Sequence, residues 1–346
     1  MIEQRAGVEL AALTTFRVGG PARRLIVATT ESELVSAVCD LDHAGEPLLI
    51  LGGGSNVLIS DAGFDGSVVL VRTRGLKAEV SACSGAVVRV AAGEGWEALV
   101  ARTVAEEWSG LEALSGIPGS TGASPIQNIG AYGADVSQTI ASVATWDRGT
   151  GQRATFAAAD CGFGYRTSRF KTEPGRYVVL SVDFQLRLGS LSAPVRYAEL
   201  ARALGVKVGA RVPAAEVRQA VLELRRRKGM VLDDADRDTW SAGSFFTNPL
   251  LTSGQADLLP PAAPRWEQPD GRVKTSAAWL IEHAGFGKGF GDGAATLSTK
   301  HTLALTNRGS ARATDLLALA RQVRDGVESA VGITLVPEPL LVNCTL

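Results

Sequence analysis

The first part of the chain alternates short apolar runs with one amphipathic segment. Apolar runs of this length predict strands, and they lie at residues 24–28, 48–51, 57–60 and 67–72. Thr30, followed three residues later by Glu33, predicts a capping box that opens a helix extending to about residue 44. The pattern therefore predicts a small β-α-β-β unit.

From about residue 77 the apolar runs become longer, which predicts a second unit. One helix is predicted at residues 96–108, and a second at residues 214–228 is followed by Gly229, a residue that favours a helix end. We expect a domain boundary there. The predicted strands of this unit lie at residues 87–92, 140–148 and 176–188.

The remaining residues mix short helices and strands. Helices are predicted at residues 275–283 and 314–330, and a strand at residues 302–306. A final strand over residues 333–342 is interrupted by two prolines and could return to the first unit. The predicted fold is α+β, with units at residues 1–74 completed by 333–346, at 75–228 and at 229–332.

The length indicates the number of domains, and the charge indicates which partners the protein can attract. At 346 residues the chain exceeds the roughly 250 to 300 at which a single core stops growing, so two or three packed units are expected. The 35 basic and 36 acidic residues nearly cancel, which leaves no overall field to attract nucleic acid or an anionic membrane. Any recognition of phosphate must therefore be local.

The cysteines and histidines are too scattered to form a metal site. The four cysteines include no C-x-x-C pair, and the three histidines include no H-x-x-x-H pair. No apolar stretch approaches the 18 residues of a membrane helix. We expect a cytoplasmic monomer with reduced thiols, no metal and no membrane or nucleic-acid partner.

Two glycine-rich segments could bind phosphate. Residues 52–56 follow a predicted strand but do not open a helix, so they are not a Rossmann fingerprint or a P-loop. Consecutive glycines can still form a nest of N–H groups around a phosphate, with a plain turn as the alternative. Residues 116–133 combine glycines with hydroxyl and amide side chains, and an irregular structural loop is their alternative. The two segments together suggest one large dinucleotide.

Three separate residues offer acid-base and charge chemistry. Ser244 follows two small residues and precedes two aromatic ones, so apolar surface would screen it from water; a turn or cap hydroxyl is the alternative. Glu338 lies between two prolines that stiffen its backbone, unless it is a solvated loop carboxylate. Arg166 follows an aromatic residue in a small-residue turn and suits a carboxylate or an enolate, with a surface salt bridge as the alternative.

Two further segments are open to interpretation. Residues 225–228 are four consecutive basic residues at a helix end, where they would complement the helix dipole or hold a substrate diphosphate. Residues 285–293 contain alternating glycines and fail the G-K-[ST] requirement of a phosphate loop. We interpret them as a mobile lid.

Taken in order, these motifs resemble the UDP-N-acetylenolpyruvoylglucosamine reductase family, flavoenzymes of peptidoglycan precursor synthesis. The resemblance covers nearly the whole chain, and its motifs lie at residues 15–20, 51–56, 118–133, 164–166, 243–246 and 337–338. It implies that residues 1–74 with 333–346, and residues 75–228, form the two subdomains of an FAD-binding region. Residues 229–332 would then form the substrate-binding domain.

The resemblance also assigns residues to roles. Arg166, Ser244 and Glu338 match the family's catalytic trio. The substrate-binding positions implied are Tyr197, Lys228, Asn248 and His301, of which Tyr197 would cover the substrate and indicates the longer form of the enzyme. The implied FAD contacts are Gly52, Gly53, Gly54, Ser55, Asn56, Pro118, Gly119, Ser120, Gly122, Ala123, Gln127, Asn128, Ile129, Gly130 and Gly133.

The reaction implied by this family has two halves. NADPH reduces FAD, and flavin N5 then delivers hydride to C3 of the enolpyruvyl group of UDP-N-acetylglucosamine enolpyruvate. Arg166 and Glu338, the latter protonated or sharing a proton, would stabilise the enolate, and Ser244 would donate a proton to C2. The alternatives are another FAD-dependent oxidase or dehydrogenase on the same scaffold and a flavin-binding module without activity.

Overall fold

The computed structural model describes residues 2–346. In chain order its strands are β1 (Glu3–Glu9), β2 (Pro21–Ala28), β3 (Leu48–Leu51), β4 (Val57–Ile59), β5 (Phe64–Val71), β6 (Leu76–Ser81), β7 (Gly85–Ala91), β8 (Trp108–Ser109), β9 (Gly130–Ala131), β10 (Ala134–Asp135), β11 (Ile140–Asp147), β12 (Gln152–Ala157), β13 (Tyr177–Leu188), β14 (Leu250–Leu251), β15 (Trp266–Glu267), β16 (Val273–Lys274), β17 (Ala295–Leu297), β18 (Leu305–Asn307) and β19 (Leu340–Val342). Its helices are α1 (Glu31–His43), α2 (Trp96–Ala105), α3 (Ser124–Gln127), α4 (Arg169–Thr172), α5 (Ala198–Ala203), α6 (Ala214–Arg227), α7 (Ser253–Asp257), α8 (Ala277–His283) and α9 (Ala313–Val331). The α+β class predicted from the sequence is confirmed.

The chain divides into two compact units. Unit 1 comprises residues 2–8, 22–54 and 65–227, and unit 2 comprises residues 9–21, 55–64 and 228–346. The finer division into three units stays a prediction.

Unit 1 is built on two sheets. The larger has the strand order β12-β11-β13-β7-β6, with β8 also paired to β13, and the smaller has the order β1-β2-β5-β3. Trp96, at the start of α2, is fully buried, and its ring lies 6.1 Å from that of Phe184. The backbone N–H of Trp96 donates to the carbonyl of Gly119 at 3.0 Å. The core therefore fixes Gly119, within the second glycine-rich segment.

Unit 2 packs its core against the long helix α9. Asp61 accepts hydrogen bonds from the first N–H groups of this helix, Ala313 at 2.7 Å and Thr314 at 3.1 Å, which replaces a local N-cap. β17 and β18 are antiparallel, whereas β19 lies parallel to β4. The C-terminal strand thus pairs with residues 57–59.

Most of the predicted elements are present, and the capping box of Thr30 and Glu33 is confirmed. The helix predicted at residues 96–108 is wrong at its end: α2 stops at Ala105, and Trp108 begins a strand. The reason is Glu107, whose φ of +56° leaves the helical region. Strand β1 carries no alternation of apolar residues and was not predicted.

Two further predicted strands are shorter or shifted. Of residues 333–342 only Leu340–Val342 form a strand, because Pro337 and Pro339 have no N–H to donate. The strand predicted at residues 302–306 lies at Leu305–Asn307 instead. The residues before it form a turn, closed by a 3.1 Å hydrogen bond from the N–H of Ala304 to the carbonyl of His301.

Candidate active site

The first glycine segment of unit 1 touches the second through backbone atoms. A Cβ atom on Gly53 would lie 2.5 Å from the Cα of Gly119, a distance that real Cβ atoms do not reach. A Cβ on Gly52 would collide with the hydroxyl of Ser120. Arg72 steadies the turn by donating from Nη1 to the Gly52 carbonyl at 2.9 Å. Only glycine allows these two segments to approach so closely.

The second segment is anchored to the end of β7. Thr121 donates its N–H to the Glu94 carbonyl at 2.7 Å, and Gly122 donates to the Ala92 carbonyl at 2.8 Å. A Cβ on Gly122 would lie 2.5 Å from the Cβ of Ala92. These contacts hold the stretch from Pro118 to Ala123 against the sheet.

Buried polar atoms in this segment fit a bound cofactor. Among residues 2–346, the Thr121 hydroxyl and the Gln127 side-chain nitrogen are buried without a hydrogen-bonding partner in the protein. Buried polar groups normally have partners, so a ligand atom at these positions would satisfy them. Glycine-rich backbone of this kind can form a nest of N–H groups around a pyrophosphate.

Asn128 and Arg166 meet at the end of this segment. Asn128 ends α3 with a φ of +43°, and its Nδ2 donates to the Gly164 carbonyl at 2.9 Å. Arg166 also has a positive φ, +52°, and donates from Nη2 to the Gly130 carbonyl at 3.0 Å. Such strained backbone is typical of functional sites. The guanidinium of Arg166 is thereby fixed beside the predicted flavin loop.

The predicted substrate residue Tyr197 packs on a residue that the sequence did not single out. The rings of Tyr197 and Tyr132 lie 5.7 Å apart in an edge-to-face arrangement. Burial raises the pKa of Tyr132 to about 12, and burial lowers the pKa of Arg225 to about 10. Gly133 lies nearby, since its Cβ would be 3.0 Å from that of Arg196. Tyr132 could have been noticed as the one aromatic residue among the glycines of residues 130–133.

The other two catalytic candidates lie on paired segments of unit 2. Residues 245–247 pair with residues 336–338: the N–H of Glu338 donates to the Phe245 carbonyl at 2.8 Å, and that of Thr247 donates to the Val336 carbonyl at 3.0 Å. Phe245 directly follows Ser244 and is fully buried. Two segments separated by about ninety residues therefore place Ser244 and Glu338 on neighbouring stretches of backbone. Both side chains are partly buried.

Asn56 supports the same tail. Its Nδ2 donates to the Glu338 carbonyl at 3.4 Å, and its own carbonyl accepts from Leu340 at 3.0 Å. The structure thus gives this predicted flavin contact a second role, in holding the backbone of Glu338. Ser55, the residue before it, is partly buried.

The remaining predicted substrate positions have defined places. Asn248 accepts at Oδ1 from the N–H of Ala277, the first residue of α8, at 3.0 Å, while Ser276 is the N-cap of that helix. His301 accepts at Nδ1 from the N–H of Leu303 at 3.3 Å. Lys228 follows the last residue of α6 and is partly buried.

In the loop of alternating glycines at residues 285–293, two aromatic residues pack against each other. The rings of Phe286 and Phe290 lie 4.8 Å apart, and Gly326 of α9 leaves no room for a side chain beside Phe286. Gly289 donates to the Ser298 carbonyl at 3.1 Å. A mobile lid here stays a prediction.

Two further observations on residues 2–346 concern metal ions and membranes. No group of three or more potential metal ligands is found in that part of the chain. None of its helices is both long and apolar enough to span a bilayer.

Comparison with known proteins gives a consistent result along the chain. Residues 22–156 match the model of an FAD binding domain, and residues 234–342 match that of the UDP-N-acetylenolpyruvoylglucosamine reductase C-terminal domain. The reductase of that name from Cutibacterium acnes is 60% identical over 98% of this chain and 90% of its own. The one from Salinispora arenicola is 58% identical over 99% and 96%. The crystal structure of the Thermus caldophilus reductase is 26% identical, covers 99% of both chains and has a TM-score of 0.67.

Proposed function

The chain belongs to the UDP-N-acetylenolpyruvoylglucosamine reductase family, and from this premise we propose which residues hold the cofactor, bind the substrate and deliver the proton. The protein is an FAD-dependent oxidoreductase with NADPH as its reductant. It reduces the enolpyruvyl group of UDP-N-acetylglucosamine enolpyruvate to give UDP-N-acetylmuramate.

The flavin would be held mainly by backbone. Gly53 and Gly119 would present N–H groups without side chains. Thr121 and Gln127 offer buried polar atoms that lack protein partners among residues 2–346. When bound, FAD supplies the centre that accepts hydride from NADPH and passes it to C3 of the substrate. The other flavin contacts implied by the family resemblance, within residues 52–56 and 118–133, would also help to bind the flavin.

Ser244 would donate the proton to C2 of the substrate. The observation that carries this role is the 2.8 Å hydrogen bond from the N–H of Glu338 to the carbonyl of Phe245, which keeps Ser244 and Glu338 on adjacent backbone. A neutral serine is a weak acid in water, so it needs a desolvated approach to a strongly basic carbon. The fully buried Phe245 and Phe246 supply apolar surface beside Ser244.

Glu338 and Arg166 would stabilise the negative charge that spreads from C2 into the substrate carboxylate. Arg166 is a permanent cation whose Nη2 is fixed on the Gly130 carbonyl. Glu338 would act protonated or while sharing a proton, as a hydrogen-bond donor to the enolate. Preorganised donors of this kind are worth about 10²- to 10³-fold in rate.

Four residues are proposed to bind the substrate. Tyr197, whose ring is braced by Tyr132, would cover the sugar nucleotide. Lys228 offers a cation suited to the diphosphate. Asn248 and His301 complete the set, each with one polar atom already engaged by backbone.

Location and assembly belong to the same proposal. All four cysteines are free thiols within residues 2–346, which supports a reducing compartment, and we place the enzyme in the cytoplasm. A near-neutral charge balance supports the absence of a nucleic-acid partner. We assign the protein as a monomer, which size-exclusion chromatography with light scattering would test.

One anaerobic experiment tests the reaction. Purified holoenzyme is first mixed with NADPH and then with UDP-N-acetylglucosamine enolpyruvate, while the flavin absorbance is followed. We expect NADPH to bleach the flavin and the sugar nucleotide to restore its colour without oxygen. Colour restored only by oxygen, or oxidation of added alcohols, would support an oxidase on the same scaffold instead.

A further inference from the structure

The turn between β17 and β18 supports the Ser244 segment directly. The N–H of Phe245 donates to the carbonyl of Leu303, in this turn, at 2.7 Å. The carbonyl of the same Phe245 accepts from the N–H of Glu338. Phe245 therefore links the turn, Ser244 and the tail that carries Glu338. Any shift of the turn would move the proposed proton donor.

A buried carboxylate holds this turn in place. Oδ1 of Asp238 accepts from the N–H of Thr299 at 2.9 Å, and Oδ2 accepts from the Thr299 hydroxyl at 2.6 Å. Arg308, just after β18, donates from Nη1 to Oδ1 at 3.0 Å. Only 7% of the Asp238 side chain is exposed. Burial opposes its ionisation, but the hydrogen bonds from Thr299 and the charge of Arg308 outweigh this, and the pKa of Asp238 is lowered.

Asp238 also lies at the start of the segment that leads to Ser244. The carbonyl of Trp240 accepts from the N–H of Asn307 at 3.0 Å, and the hydroxyl of Ser241 accepts from Gly243 at 3.1 Å. A Cβ on Gly229 would lie 3.1 Å from the Asp238 carbonyl, so the residue after Lys228 packs here too. The Asp238 side chain thus joins the 298–304 turn and Arg308 to the start of the segment that leads to Ser244.

We propose that Asp238 is a positioning residue for proton delivery: its carboxylate sets the 298–304 turn, and the turn sets Ser244 through Leu303 and Phe245. This inference rests on the proposed role of Ser244. Asp238 does not itself touch the substrate in this account. It keeps the Ser244 hydroxyl and the Glu338 side chain in the same relative position while NADPH and the substrate take turns at the site.

The test separates the two half-reactions in the Asp238→Asn holoenzyme by anaerobic stopped flow. The amide keeps one acceptor for the Thr299 N–H but loses the second acceptor and the charge. We expect reoxidation of the flavin by substrate to slow by about 10- to 100-fold, as small misplacements of reacting groups do. Flavin content and reduction by NADPH should stay within about twofold of wild type. The solvent deuterium isotope effect on reoxidation should increase, because proton transfer then limits the rate more strongly.

Asp61→Asn is the matched control. Asp61 is another partly buried carboxylate of unit 2 that binds two backbone N–H groups, but it holds the start of α9 and not the turn. It should lower the thermal unfolding temperature without changing the ratio of the half-reaction rates. Thr299→Val should slow reoxidation in the same way as Asp238→Asn, and Thr299→Ser, which keeps the hydroxyl, should restore it.

Three results would overturn the inference. They are unchanged reoxidation in Asp238→Asn, equal slowing of both half-reactions, and an unchanged isotope effect. If Asp238→Asn does not fold, the Thr299 pair decides by the same criteria. If flavin reoxidation is selectively slowed in Ser244→Ala but not in Asp238→Asn, only the inference about Asp238 fails. If Ser244→Ala itself shows no selective slowing, the proposed proton donor fails instead.

Discussion

The glycine segments of unit 1 and the paired segments of unit 2 differ in the groups that they would offer to a ligand. In unit 1 the close contact of Gly53 with Gly119 excludes side chains, so a ligand would be met by backbone. In unit 2 the pairing of Phe245 with Glu338 brings two side chains to neighbouring positions. The first arrangement suits binding of a large, fixed cofactor. The second suits chemistry on a substrate that enters and leaves.

This difference implies that the two regions should fail differently when altered. Damage to the glycine contacts should remove the flavin and with it every activity. Damage to the paired segments should leave a flavin that NADPH still reduces. Variants in each region test that distinction.

Gly53→Ala should abolish flavin binding. The new Cβ would lie 2.5 Å from the Cα of Gly119, which is backbone and cannot rotate away. We expect a colourless protein, measured by the flavin absorbance of the purified sample. Gly95→Ala is the control, because its Cβ meets only the Cβ of Ala98 at 3.9 Å, and it should stay yellow. A yellow Gly53→Ala protein of normal affinity would contradict the backbone account.

Glu338→Gln should slow flavin reoxidation by substrate by about 10²- to 10³-fold, the range for loss of one preorganised group. The N–H of residue 338 still reaches the Phe245 carbonyl, so the backbone pairing should survive. Stopped-flow absorbance would show NADPH reduction at the wild-type rate. Wild-type reoxidation in this variant would remove Glu338 from the mechanism.

Arg72→Met should weaken flavin binding by about tenfold or more. It removes the 2.9 Å hydrogen bond from a charged donor to the Gly52 carbonyl, and bonds of this kind contribute about 1.5–3 kcal/mol. Fluorescence titration of the apoprotein with FAD measures the effect. An unchanged dissociation constant would mean that the glycine turn keeps its shape without this support.

Thr30→Ala should have the smallest effect. It removes the capping box at the start of α1 and should lower the free energy of unfolding by about 1 kcal/mol. Urea unfolding gives the stability, and both half-reactions should proceed at wild-type rates. A change in either rate would show that α1 contributes to the site.

The sequence indicates the close glycine contacts of unit 1 more directly than the arrangement in unit 2. Glycines such as Gly53 and Gly122 can be recognised directly in the sequence. The close contacts that they make in the structure leave no room for a side chain. The capping box at Thr30 is equally local. The relation between Ser244 and Glu338 depends on hydrogen bonds between segments about ninety residues apart. Only the family resemblance suggested it.

Other features gave no local signal at all. Asp238 is one of several acidic residues in a polar stretch, and its importance arises from Thr299 and Arg308, which lie far along the chain. The end of α2 depended on the positive φ of Glu107, a conformation that glutamate rarely adopts. The carbonyl of Glu107 accepts from the N–H of Gly189 at 2.9 Å, so both features involve partners far along the chain.

The most direct test of the account is the pair of half-reactions in Ser244→Ala. The substitution removes only the hydroxyl and leaves the hydrogen bonds of Phe245 in place. We predict normal flavin content, NADPH reduction at the wild-type rate and reoxidation by substrate slowed by about 10²- to 10⁴-fold, the range for loss of a general acid. Equal slowing of both half-reactions, or unchanged reoxidation, would contradict the assignment of Ser244 as the proton donor.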